Sequence, residues 1–469
     1  MNDGAARAGR GWFIGAGVLA VLAVYFWVTY EQPTELDNRP IGDVEDIAQL
    51  ADRDDVNLLF IVIDTLRSHR LGSYGYSRNT SPTLDYMAGK GVRFARHLAQ
   101  SSWTKASMAS LWTGLYPVGT GVTRFAHALP EEATMPAEIL RDAGFRTAGV
   151  WRNGWVAPNF GFGQGFEFYH RPIGKPAPPS FKRENPNVTV EGTDHDVLAA
   201  AVEFLRINAS HRFFLYTHLM DVHQYLYDTD SAVFGVGYSD IYDNSVLHED
   251  SVVLQLLAAL AEKGVLDKTL VVVTSDHGEA FQERGLEGHA RHVYRESTEV
   301  PFILSFPFHL ERGIAIHGPT RNIDVWPTVL DLLGLPELPG IDGRSLVPEI
   351  LAAGRGEPAP RAVETGISHL DRHWGRMELP EKPAVAVTDG IHRFIYERNP
   401  DDEREELFSH GEPNEQTDVI AEQPEAAARL RVLAKDYLAR PPLWEGGAPI
   451  VNVDHMERNQ LRALGYVVE

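Results

Sequence analysis

Four short runs of uninterrupted apolar residues constrain this chain more than any other feature. They are Leu58-Leu59-Phe60-Ile61-Val62-Ile63, Phe213-Phe214-Leu215-Tyr216, Leu270-Val271-Val272-Val273 and Phe302-Ile303-Leu304. A strand with one wet face alternates polar and apolar side chains. A strand without alternation is buried on both faces, as in a parallel sheet with helices on either side. The stretch from Val252 to Lys263, just before the third run, reads as a helix. The expected fold is a doubly wound, mostly parallel α/β sheet, in which ligands gather at the carboxyl ends of the strands. The Pro-rich piece from Gly174 to Pro179 reads as a loop or insertion, and no internal repeat is present.

Composition narrows the function. Hydrophobic residues make up 43% of 469, enough for a large core, so collagen-like and wholly disordered chains are excluded. A formal charge of −22 argues against a nucleic-acid binder, whose affinity comes from basic contacts to phosphates. One pocket can still be positive if it binds a cation. The chain has no cysteine, which rules out disulfides, thiolate metal sites and a cysteine nucleophile.

Residues 11–30 (GWFIGAGVLAVLAVYFWVTY) carry no charge and are long enough to cross a bilayer as a helix. Arg7 and Arg10 precede them, and Glu31, Glu35 and Asp37 follow. The positive-inside rule then leaves residues 1–10 cytoplasmic and exports the rest. The rival reading of 11–30 is a cleaved signal peptide, but the long run without a clean A-x-A site favours a retained transmembrane signal anchor. The expectation is a single-pass inner-membrane protein with residues 31–55 as a linker to an exported domain.

Chemistry-bearing residues follow the apolar runs. The first run leads to Asp64-Thr65-Leu66-Arg67, and the third to Ser275-Asp276-His277-Gly278-Glu279. The Phe213 run leads to Thr217-His218-Leu219-Met220-Asp221-Val222-His223. One aspartate after a strand is commonly a helix cap, but carboxylates and imidazoles on one sheet edge are what a divalent cation requires. Thr104 precedes a short helix-compatible stretch that Thr113-Gly114 can close. It is either an ordinary N-cap or, beside a cation, an activated nucleophile whose neighbouring backbone N–H groups hold an anion.

In order along the chain stand NLLFIVIDTLRSHRLGSYGY, SPTLDYMAGKGVRFARHLAQSSWTKASMASLWTGLYP, HLMDVH, TLVVVTSDHGEAF, GHARHVYRESTEVPFIL and DVWPTVLDLLGLP with IDGRSL. Together they resemble the sulfatase-like branch of the alkaline phosphatase superfamily. FIYERNPDDEREELFSH, NEQTDV and LRALGYV look like that family's C-terminal subdomain. The resemblance implies a catalytic domain over 56–350 and a smaller α+β subdomain over 351–469. It implies metal ligands at Asp64, Thr104, Asp276 and His277. It places His218, His223 and His289 where the family lines its substrate and assists the leaving group. Asp221, His223 and His289 (or His292) form an alternative second metal site, as in two-zinc phosphodiesterase relatives. The backbone near Lys105 is expected to support the transferring group. Trp151 to Trp155 and the insertion from Tyr225 to Ser239 are expected to wall the pocket. Within that wall Arg152 is either an anion contact or a solvated surface arginine.

Two departures from the family pattern bear on chemistry. Thr65 stands where many sulfatases have a second aspartate, so Mn²⁺ or Zn²⁺ suits the donor set better than Ca²⁺, although Ca²⁺ stays possible. Thr104-Lys105-Ala106-Ser107-Met108 lacks both the convertible residue and the arginine of the formylglycine signature, so no formylglycine is expected. A threonine sulfate has no aldehyde exit, whereas a threonine phosphate can be attacked at phosphorus. The expectation is thus a metal-dependent enzyme acting on phosphate mono- or diesters of small molecules, lipid headgroups or glycans. The alternatives are a sulfatase, a phosphoethanolamine- or glycerol-phosphate-type transferase, and a non-catalytic binding protein. Oligomeric state is not legible.

Overall fold

The computed structural model describes residues 37–174, 192–360, 365–398, 403–410 and 415–453. The expected anchor at 11–30 and the terminal LRALGYV lie outside the described residues. Among the described residues no helix is long and apolar enough to cross a membrane.

A nine-stranded sheet forms the body. Its main strands are β1 (Asn57–Ile63), β2 (Val92–Leu98), β3 (Arg146–Trp151), β4 (Phe168–His170), β5 (Phe213–Leu219), β6 (Thr269–Thr274), β7 (Phe302–Ser305) and β8 (Ile314–Arg321). The order runs β2-β7-β6-β1-β5-β3-β4, with β8 and the short strand Glu299–Val300 also paired to β2. The strands β6, β1, β5, β3 and β4 are mutually parallel. β7 is antiparallel to both of its neighbours. All four apolar runs are strands, but the Phe302 run departs from the parallel expectation. A strand buried on both faces shows no alternation whichever way it runs.

The period of two along β1 explains why helices cover both faces. Leu58, Phe60 and Val62 enter one core with Met108 and Trp112 of α1 (Thr104–Thr113) and Trp326 of α4 (Val325–Leu332). Leu59, Ile61 and Ile63 enter the other with α2 (Asp194–Asn208) and α3 (Tyr238–Glu262). α3 starts well before the expected helix at Val252. Its first half buries Asp243, Asn244, His248, Glu249 and Asp250, a polar inner face that apolar spacing does not reveal. In the first core Trp326 stacks on Phe60 at 4.7 Å, and Trp112 meets Tyr216 edge-on at 5.0 Å. Gly114 closes α1 in the left-handed region at φ +70°, a conformation that disfavours a side chain.

Residues 37–55 are more than a linker. Asp43 and Asp46 form a capping box on the helix Val44–Ala48, Ile47 and Leu50 are buried, and Ile41–Gly42 pairs with His309–Leu310. Arg39 donates to Ser305 Oγ at 2.9 Å and to the Phe306 carbonyl. The C-terminal part is a four-stranded antiparallel sheet: β9 (Gly366–Asp371), β10 (Pro383–Thr388), β11 (His392–Arg398) and β12 (Glu403–Ser409). It is covered by α5 (Pro424–Leu438) through Leu430, Ala434 and Tyr437. The described residues from Arg39 onward form one compact unit. Inside it Arg124 pairs with Asp371, and Trp374 stacks on Trp103 at 4.8 Å.

Trp112 sits on the helix that begins with Thr104 and contacts Phe60, Tyr216 and Trp326. Trp112→Ala is expected to cost about 3–5 kcal/mol of stability, read as a lower urea midpoint with an unchanged slope.

Candidate active site

The parallel strands β6, β1 and β5 deliver their polar residues to one edge. Asp64 follows β1, Asp276 and His277 follow β6, His218 lies near the end of β5, and Thr104 is the first residue of α1. All five are fully buried. Asp64, Asp276 and His277 place one ligand atom each within 4.8 Å of one another. His277 Nε2 lies 3.3 Å from Asp276 Oδ2, 3.9 Å from Asp64 Oδ1 and 3.1 Å from Thr104 Oγ1.

These residues fit a divalent cation. Asp64 Oδ1 and Asp276 Oδ2 are buried and meet no hydrogen-bond donor, an arrangement costly for a carboxylate unless a cation faces it. His277 Nδ1 lies 3.0 Å from the Gly278 carbonyl, so Nδ1 carries the proton and Nε2 presents its lone pair to the cluster. Burial opposes ionisation of Asp64, but the imidazoles of His223, His218 and His277 outweigh it and hold the carboxyl below its usual range. Asp276 moves the other way, raised by burial and then by the charge of Asp64. Thr65 does not replace a carboxylate ligand. Its hydroxyl donates to the Asp64 carbonyl at 2.6 Å, while its N–H donates to Asp276 Oδ1 at 3.3 Å. At φ 62° this β-branched residue is strained, and these two hydrogen bonds help to hold it there.

His223 and His289 stand beside the cluster. The His289 ring centroid is 4.5 Å from that of His277 and 5.0 Å from that of His223. Glu279 Oε2 holds His289 Nδ1 at 3.0 Å. Burial opposes a charge on His289, but Glu279 prevails and raises it. His223, by contrast, is lowered to about 4 by burial. Glu279 thus favours the charged form of His289, while burial favours the neutral form of His223. His218 takes no part in this pair: its Nε2 meets Asp64 Oδ2 at 3.1 Å and its Nδ1 meets Tyr216 OH at 2.7 Å.

Other candidates sit elsewhere. The Lys105 side chain is buried away from the cluster. Its Nζ donates to the carbonyls of Phe125 and His127 and lies 3.3 Å from the Phe160 ring centroid. Arg152 is neither solvated nor open to an anion, being 3% exposed and paired with both Asp194 and Asp221. Asp221 consequently groups with Asp194 and Glu249, not with His223 and His289 as a second metal site would need. Asp194 Oδ2 accepts from the N–H groups of Met220 and Asp221, so these charges brace the loop that carries His223. His292 faces Ser297 Oγ at 3.2 Å and has Glu296 at 4.0 Å, while its carbonyl receives Ser102 Oγ.

Asn153 was not among the residues singled out individually. Its Nδ2 donates to Asp64 Oδ2 at 2.6 Å and lies 3.3 Å from Thr104 Oγ1. It follows β3, whose sequence Arg146-Thr147-Ala148-Gly149-Val150-Trp151 lacks a continuous apolar run, so the strand-end argument had nothing to act on. Glu279 stood in the quoted motif with no assigned role; its partner His289 is ten residues away.

The fold, this cluster and the family match together define an ester hydrolase whose strand-end edge is compatible with a divalent cation. The chain belongs to the sulfatase family, whose model matches residues 56–335. Human arylsulfatase A is 28% identical over 355 residues, covering 64% of this chain and 68% of that protein. Rat steryl-sulfatase is 26% identical over 406 residues, covering 63% and 70%. Among solved structures, the phosphonate monoester hydrolase of Agrobacterium radiobacter superposes with a TM-score of 0.63 at 19% identity, covering 85% of this chain and all of that one.

Asp276→Asn is expected to abolish metal binding with the fold retained, as judged by elemental analysis and circular dichroism of the same sample. Arg152→Met removes the guanidinium that Asp194 and Asp221 share and is expected to cost about 3–5 kcal/mol in urea unfolding.

Proposed function

We propose that this sulfatase-family hydrolase acts on phosphate esters, with Thr104 as nucleophile. The supporting observation is the buried Thr104 hydroxyl at the start of α1, 3.1 Å from His277 Nε2 and 3.3 Å from Asn153 Nδ2, in a chain without cysteine. Asp64, Thr104, Asp276 and His277 would hold one cation, with Mn²⁺ or Zn²⁺ preferred by this donor set and Ca²⁺ possible. Such an ion lowers the hydroxyl pKa and neutralises charge on the transferring group.

The residues supply the remaining chemistry. Thr104 Oγ1, its proton released to solvent, forms the bond to phosphorus as the bond to the leaving oxygen breaks. Backbone N–H groups of the first turn of α1 face the anion, an arrangement that favours negative charge at a helix start. Asn153 Nδ2 bridges Asp64 and Thr104, fixing the direction from which the hydroxyl attacks. His289, whose charged form Glu279 favours, gives its proton to the leaving oxygen. Water then cleaves the phosphothreonine and restores Thr104; an alcohol in that step would make the enzyme a transferase. Sulfate esters are the second reading, favoured by the named sulfatase relatives, and small molecules or glycans are suitable carriers of either ester. The charge-free residues 11–30 support a membrane-anchored, exported enzyme.

Thr104→Ala is expected to lower turnover of a phosphodiester by at least about 10³-fold while the metal stays bound. Wild-type-like rates in that variant would overturn the nucleophile assignment. Rates on matched aryl sulfate, phosphate monoester and phosphodiester, with each metal added in turn, decide between the two readings.

A further inference from the structure

The candidate ligands stand beyond the reach of the sheet that delivers them. The β1–β6 ladder ends at Val62 and Thr274, two residues short of Asp64 and of Asp276. On its other side the Asp64 N–H still reaches the Leu219 carbonyl of β5 at 2.9 Å. From Asp64 to Arg67 the chain has neither helix nor strand, yet all four residues are buried. Peptide groups buried in irregular backbone are costly unless other parts of the fold supply their partners.

Two fully buried hydroxyls supply most of them. Ser275 Oγ accepts from the Leu66 N–H at 3.0 Å, closer than that group's other acceptor, the Ile63 carbonyl at 3.4 Å. It donates in turn to the His277 carbonyl at 2.7 Å. This single oxygen therefore joins the turn behind Asp64 to the backbone of His277. Tyr242, on the polar inner face of α3, closes the same turn from behind. Its hydroxyl donates to the Thr65 carbonyl at 2.8 Å and accepts from the Arg67 N–H at 2.9 Å. A carbonyl can only accept and an N–H can only donate, so the partners fix the orientation of both hydroxyls. Between these contacts lies Thr65 at φ 62°. A β-branched residue stays in that conformation only where its surroundings over-determine it.

We infer that Ser275 and Tyr242 are positioning residues for the cation: their hydroxyls carry the β1–β6 register past the end of the ladder and hold Asp64 against Asp276 and His277 at the spacing one ion needs. The inference rests on the cation reading above; the choice between phosphate and sulfate does not enter. Neither hydroxyl is a ligand. Each acts through the backbone of a turn that carries one, and removing either releases a strained turn whose relaxation moves Asp64 relative to His277.

Affinity for Mn²⁺ and for Zn²⁺, taken in turn and read by calorimetry on the full chain, tests this without reference to turnover. Ser275→Ala and Tyr242→Phe are each expected to weaken binding about tenfold or more, the loss typical when a group that orients a metal ligand is removed. Thr328→Val is the control. The Thr328 hydroxyl likewise bridges a backbone carbonyl and an N–H, those of Asp324 and Leu346, at 2.6 and 2.9 Å, but touches no turn that carries a ligand. This variant is expected to lose stability and to bind the ions as the wild type does. Wild-type affinity in either test variant, or an equal loss in the control, overturns the proposal and leaves the cation reading intact. Wild-type protein that takes up neither ion overturns both. Should both test variants fail to fold, hydrogen exchange on the wild-type chain supplies a second measurement. The ion is expected to slow exchange of the Leu66 and Arg67 amides about tenfold or more, since it stabilises only the closed turn, and to leave the Leu346 amide unchanged. Equal slowing at all three amides, or none, overturns the assignment.

Discussion

Two carboxylates at the ends of adjacent parallel strands set the terms for everything around them. Asp64 and Asp276 are fully buried, and each keeps an oxygen that meets no donor. Burying one ionised carboxylate is expensive, and burying two side by side adds their repulsion. The fold spends much of its local organisation on them. His218 and Asn153 hold Asp64 Oδ2, and the strained Thr65 turns its N–H to Asp276. Gly278 fixes the tautomer of His277. What remains unsatisfied points inward at a common centre, and a divalent cation there reconciles the arrangement.

The sheet makes this possible because it is parallel at its centre. β6, β1 and β5 run the same way, so residues distant in sequence arrive at one edge without a turn between them. Tyr216 shows how closely core and site are joined. Its ring packs on Trp112 in the hydrophobic layer, while its hydroxyl orients His218, which in turn holds Asp64. The packing of an aromatic core thereby reaches a candidate metal ligand in three steps.

Much of this was legible in the sequence, for reasons that also mark where legibility stopped. Strands buried on both faces announce themselves as apolar runs, so β1, β5, β6 and β7 could be placed, and with them Asp64, His218, Asp276 and His277. β3 carries Arg146, Thr147 and Gly149 and gave no such signal, so the role of Asn153 at its end went unseen. The direction of β7 was hidden because double burial looks the same either way. Arg152 and Asp221 were recognisable as polar residues near the site. Their mutual pairing was not, since an ion pair 69 residues apart leaves no local pattern. The polar inner face of α3 was lost for a related reason: its partners lie on other elements, and helical periodicity records only apolar burial.

Trp374 belongs to the C-terminal subdomain, yet it stacks on Trp103, the residue before Thr104, and its Nε1 donates to the Ala290 carbonyl at 3.2 Å, beside His289. One side chain thus backs the residues next to both Thr104 and His289. A fragment ending near residue 350 would retain all four candidate ligands in its sequence and lose the surface behind them. The C-terminal subdomain therefore supplies part of the packing behind this edge, and the unit that holds the edge in shape is longer than the segment over which the family is recognised.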